Sequence, residues 1–84
     1  MTVIGWGMNG FDEELDAIGL LCPLPVLKAR KRLISMEKGN VLKVLCDDPA
    51  AMVDVPHYCT ESGHELIGQG EGDACQYYLI RKSG

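Results

Sequence analysis

Among the four cysteines of this 84-residue chain, Cys22 has the most unusual neighbours. It sits in GLLCPLPVLKARKRL, residues 19–33, with Pro23 and Pro25 after it and then a helical-looking run carrying Lys28, Arg30, Lys31 and Arg32. A thiol at the start of a helix suggests nucleophilic sulfur chemistry. The first turn of a helix has unpaired N–H groups, its dipole favours an anion by about 0.3–1 kcal/mol, and cysteines placed there have lowered pKa values. Proline suits the first helical position because its missing N–H had no partner in the helix anyway. With Pro23 there and Pro25 removing a second donor, the N–H groups of Leu24 and Val26 are expected to face a thiolate or persulfide at Cys22. Leu24 precedes a proline, which disfavours the α region, so an irregular first turn is expected. The same residues also fit a buried cysteine followed by helix-starting prolines. No general base stands near Cys22 in sequence, and His57 and His64 are expected on or after a second helix, away from the thiol.

The other chemistry-bearing residues have plainer readings. Lys28, Arg30, Lys31 and Arg32 are mostly a solvated helix face. Positions 22, 26 and 30 follow the i, i+4, i+8 spacing, which places Arg30 on the side of Cys22. Arg30 and Lys31 are candidate docking contacts for an acidic partner surface. Asp48 reads as a helix N-cap and as a second candidate contact. Cys46 alternates with Leu42 and Val44 and belongs in the core, Cys59 lies on a helix facing the sheet, and Cys75 opens the last strand as a spare thiol. His57, Cys59 and His64 match no strong zinc spacing, so no metal is assigned.

The elements that must position these residues follow from periodicity. EELDAI alternates, with Leu15 and Ala17 on one face, and predicts a strand ended by Gly19. A helix is expected from Pro23 to Met36, with Val26, Ala29, Leu33 and Met36 as its apolar stripe, widened by Leu27 and Ile34. Lys28, Lys31, Arg32 and Ser35 lie opposite, and Gly39 is the expected stop. NVLKVLC is a strand. A second helix starts at Asp48 and Pro49 and runs to Ser62 before Gly63, bent or restarted at Pro56. ELIGQ and CQYYLIRK are strands joined by the turn GEGD, and Tyr77 and Tyr78 should fall on opposite sheet faces.

The order β-α-β-α-β-β predicts an α/β (α+β) two-layer sandwich, a four-stranded mixed sheet with two helices on one face. The first two strands are parallel through a right-handed crossover. Their C-terminal ends share one sheet edge, a favoured place for ligand sites, and this sets Cys22 beside Asp47 and Asp48. Residues 1–10 read as a loose extension and 11–84 as one domain.

Composition narrows the function classes. A chain this short buries roughly 60–65% of its unfolded surface, which leaves little room for a large internal active site. No apolar run approaches the roughly 18 residues of a membrane span, and the N-terminus lacks the features of a secretory signal. The expected location is cytoplasmic, with thiols reduced. The net charge of −4 argues against direct nucleic-acid binding.

LDAIGLLCPLPVLKARKRL, DDPAAMVDVPHYC, GHEL and YYLIRK together resemble the TusA/SirA-like family of small sulfur carriers over residues 15–82. The C-P-x-P element at a strand-to-helix junction is the specific part. The resemblance implies a fold similar to the C-terminal domain of translation initiation factor three. It also implies a sulfurtransferase activity in which Cys22 accepts sulfane sulfur as a persulfide and passes it on. The implied partners are a PLP-dependent cysteine desulfurase or other donor protein and a downstream acceptor, as in tRNA 2-thiolation or related sulfur trafficking, with no cofactor of the carrier's own. The chain is taken as a monomer. Leu21 stands where an arginine is frequent in the family and Leu24 where a glutamate is frequent, which removes charge beside the thiol. The alternative is a docking adaptor or regulatory module whose cysteine is incidental.

Overall fold

The computed structural model describes residues 11–72 and 75–83, so the expectation for residues 1–10 lies outside the described residues. The elements are β1 (Glu13–Asp16), α1 (Leu24–Ile34), β2 (Val41–Cys46), α2 (Ala51–Ser62), β3 (Glu65–Glu71) and β4 (Gln76–Arg81). Their order is the one the sequence predicts. The sheet runs β1-β2-β4-β3, with β1 parallel to β2 and the other two pairings antiparallel. The result is the expected two-layer sandwich.

Alternation decides which face of the sheet is covered. Leu15 and Ala17, Leu42, Val44 and Cys46, and Tyr78 and Ile80 are buried and form one cluster with Ala29, Leu33 and Met36 of the first helical segment and Ala51, Val55 and Cys59 of α2. On the other face the Lys43 ammonium lies 5.2 Å from the Phe11 ring centre and 5.5 Å from that of Tyr77. The two tyrosines therefore divide between the faces as expected. Tyr77 also lies over Gly70, its partner on β3; a Cβ at Gly70 would come within 2.6 Å of the ring, so the aromatic side chain needs the bare glycine.

The helices differ from expectation at their ends. α1 stops at Ile34, and Gly39 has no part in ending it. Gly39 instead takes φ +92 in the turn before β2 and donates its N–H to Lys82 O at 2.8 Å. The end of α1 is served from β4's side: Lys82 Nζ donates to Ile34 O at 3.2 Å and to Met36 O at 2.7 Å, placing a cation on carbonyls left without helical partners. The buried stripe is also narrower than the sequence suggests. Pro25, Ala29 and Leu33 are buried, whereas Leu27 and Ile34 are exposed. Two helices share one face of a four-stranded sheet, so neither can bury a wide stripe.

α2 continues through Pro56 without the expected restart. The proline forfeits one donor of the helix. Its C-terminus matches expectation: Gly63 takes φ 84 and donates its N–H to Cys59 O at 3.0 Å.

Candidate functional site

β1 and β2 end side by side, and the chain leaving each is tied to the other. Ala17 N–H continues the ladder to Leu45 O at 2.8 Å. Gly19 N–H then donates to Asp47 Oδ1 at 2.9 Å, and Cys22 N–H to Asp48 Oδ2 at 2.7 Å. Hydrogen bonds to a carboxylate are among the stronger ones, so the loop that presents the thiol is fastened to the end of the neighbouring strand. Asp48 Oδ1 also accepts from Ala50 N–H at 3.0 Å. These two N–H groups, Cys22's first, lower the Asp48 pKa and keep the carboxylate charged. Asp48 was expected to cap a helix with Pro49 at its first position; α2 instead begins at Ala51, with Ala50 at the cap position and no side-chain cap, and Asp48 holds the turn before it through the Ala50 N–H. In addition it anchors the thiol loop, a role the sequence reading did not assign.

Cys22 itself is exposed. Its surroundings are not the anion-stabilising ones expected. Sγ–H donates to Asp54 Oδ2. The thiol is held above its ordinary range, first by that hydrogen bond, then by desolvation, then by the negative charges of Asp54 and Asp48. The Leu24 N–H expected to face the sulfur is taken by Leu21 O at 2.8 Å. Pro23 sits at the N-cap, one position earlier than expected, with a cis Cys22–Pro23 peptide, and its carbonyl accepts from Leu27 N–H at 3.1 Å. Pro25 is buried against the core side of α1.

Asp54 is the residue that sequence reasoning missed. A signal for it existed: α2 begins at the sheet edge that holds Cys22, so a carboxylate near the start of that helix falls within reach of the thiol.

A shallow cavity of about 300 Å³ opens beside the sulfur, lined by Cys22, Pro23, Val26, Asp54, His57, Tyr58 and Glu61. His57 was expected to lie away from the thiol, and its place in this lining corrects that. Its helix passes the thiol with the 54, 57, 58 and 61 side along the opening, the i, i+3, i+4, i+7 spacing of one helix face. His64 is not in the lining; its Nδ1 accepts from Ser83 N–H at 3.1 Å. Val26 in the lining carries α1's Cys22 side towards Arg30, which is exposed. Arg30 is near enough to Tyr58 to oppose the upward shift that burial imposes on that phenol. Lys31 is exposed, whereas Arg32 is engaged with Glu13 at 3.2 Å. Cys46 and Cys59 are buried, as expected, and Cys75 is partly exposed. Among the described residues no three His, Cys, Asp or Glu side chains converge as a metal site.

The model of the family described as "Sulfurtransferase TusA" matches residues 13–82. The chain belongs to the TusA sulfurtransferase family. A solved structure, the SirA-like protein from Desulfitobacterium hafniense, is similar to it with a TM-score of 0.77 and 27% identity, over 87% of this chain and 100% of that one. The resemblance read from the C-P-L-P element and the DDP and GHEL segments is therefore the right one, and a general sulfur-carrier role comes with the family. No helix among the described residues is long and apolar enough to cross a membrane.

Proposed function

We propose that this protein accepts sulfane sulfur on Cys22 as a persulfide and relays it to an acceptor protein, as in tRNA 2-thiolation or a related sulfur-trafficking route. The observation that carries this reading is an exposed thiol on a loop fastened by Asp47 and Asp48, at the shared edge of two parallel strands. A relay must be reached by a donor and then by an acceptor, which calls for access and a fixed mount rather than a deep pocket. Sulfur exchange proceeds by thiolate attack on sulfur, so its rate depends on access and on the thiolate fraction together. The donor fitting this chemistry is a cysteine desulfurase or another persulfide-bearing protein. Arg30 and Lys31 supply the face for an acidic partner surface, and Pro23 and Pro25 shape the mount. Cytoplasmic chemistry among reduced thiols suits this role. Incubation with a cysteine desulfurase and free cysteine tests the proposal: the protein should gain the mass of one sulfur atom, removable by a reductant.

A further inference from the structure

Asp54 neither fastens the thiol loop nor belongs to the basic face of α1, yet it touches the reacting atom. Its Oδ2 accepts the Cys22 Sγ–H bond, and among the described residues no cation is ion-paired with that carboxylate. The charged and titratable groups around the sulfur are Asp54, His57, Tyr58 and Glu61 on α2, Asp48 before it and Arg30 on α1. His57 Nε2 lies 4.0 Å from Glu61 Oε2, so its protonated form is directed at Glu61. The Asp48 carboxylate is occupied by the N–H groups of Cys22 and Ala50. Asp54 thus sets an unneutralised negative charge against the nucleophile. The residues beside the pair in the chain are apolar and open: Leu21 is 69%, Leu24 44% and Val53 71% exposed. A partner seated on them would exclude water, and charge pairing strengthens as water leaves.

We propose that Asp54 restrains Cys22 as a thiol in the free protein, and that the site is built for a partner whose lysine or arginine side chain pairs with Asp54 and releases the thiolate. The restraint protects an exposed thiol from oxidants and stray electrophiles, which react with thiolate. The sulfur-transfer setting rests on the carrier reading above. In that setting, pairing of the partner's cation with Asp54 frees the thiol proton to solvent. A Cys22 Sγ lone pair forms a bond to the terminal sulfur of the donor persulfide. The donor S–S bond breaks, and its electron pair leaves on the inner sulfur, which takes up a proton. Cys22–SH and R–S–SH become Cys22–S–SH and R–SH, with no oxidant or reductant added.

Two small-molecule reactions test the proposal without any sulfur-carrying partner, each followed by mass spectrometry of the Cys22 peptide at low salt. The first is alkylation by neutral iodoacetamide across pH. Asp54→Asn is expected to move the midpoint to lower pH and to raise the rate near neutrality about three- to tenfold, the gain in thiolate fraction being partly offset by its lower nucleophilicity. The second is disulfide exchange with cystamine, which carries ammonium groups, against dithiodipropionate, which carries carboxylates. The wild-type preference for cystamine should shrink about three- to tenfold in Asp54→Asn and stay unchanged in Glu37→Gln, a remote charge control. Asp54→Ser serves as a second variant, and thermal melting checks that each is folded. Slower alkylation in folded Asp54→Asn would overturn the restraint and make the carboxylate a base. An undiminished cystamine preference would overturn the cationic partner. Persulfide loading is a separate readout, so the carrier reading can fail while these results hold, and the reverse.

Discussion

The Cys22 thiol and the Asp54 carboxylate meet across the two helices of the sandwich, with Sγ–H donating to Oδ2. The contact depends on topology. β1 and β2 are parallel, so the chains leaving them emerge at one edge; α1 begins just after Cys22 there and α2 just before Asp54. The helix N-terminus expected to lower the Cys22 pKa is opposed by a carboxylate from the neighbouring helix, and the carboxylate wins. A hydrogen-bonded full charge outweighs a dipole end worth about 0.3–1 kcal/mol at an exposed site.

The prolines can now be separated. Pro25 is buried and Pro23 is exposed at the helix cap. Pro23→Ala should lose at least the chain stiffness of the ring, about 0.4–1 kcal/mol. Pro25→Ala should cost about 1 kcal/mol beyond its own share of chain stiffness, because buried ring atoms are lost as well. Both should slow persulfide transfer to a thiol acceptor by a larger factor than stability alone explains. Paired measurement of thermal midpoint and transfer rate checks this. Transfer that falls only in step with stability would assign the prolines to the fold alone.

The basic face of α1 divides in the same way. Arg32 pairs with Glu13, so it is left intact, and Arg30 and Lys31, which form no ion pair among the described residues, are the two to reverse. Arg30→Glu with Lys31→Glu should change stability by no more than about 0.5 kcal/mol, as is usual for exposed substitutions. Sulfur uptake from a desulfurase at low salt should slow several-fold, and added salt should narrow the difference, because exposed charges act on encounter rate through a screened field. Equal rates at low salt would make the face a solvated surface only.

Much of this architecture was legible in the sequence. Alternation in EELDAI and NVLKVLC and the helical stripe of Ala29, Leu33 and Met36 are local patterns set by burial, and they placed the strands, the helices and the shared edge. The stop of α1 was not legible, because Lys82, far along the chain, serves its carbonyls. Leu27 and Ile34 look like core on a helical wheel, but how much of the wheel is covered depends on the width of the sheet. Cys22, Asp47 and Asp48 were placed together correctly from the parallel pairing. Asp54 and His57 were not, because their relation to the thiol depends on how α2 is rotated as it passes Cys22, and Pro56 obscured that helix's phase.

The buried thiols give a pH signature distinct from that of the site. Burial pushes both Cys46 and Cys59 up to about 11 from 9.0. Their folded pKa values lie above the unfolded ones, so the stability they contribute is complete below about pH 9 and is lost as pH rises towards 11. Urea denaturation at a series of alkaline pH values should show stability falling across that window, by no more than about 1.4 kcal/mol per pH unit for each thiol. Cys59→Ala should make the fall shallower. A flat profile through the window would show that these thiols titrate as they do in the unfolded chain.

The most direct test of the carrier account is residue-resolved loading followed by discharge. The protein is loaded by a cysteine desulfurase and cysteine, cleaved to peptides and weighed, and a parallel sample is first exposed to an acceptor thiol. The account predicts one added sulfur on the Cys22 peptide, its loss to the acceptor, and no loading of Cys22→Ser. Equal loading of Cys22→Ser, with the sulfur found on Cys75, would contradict it.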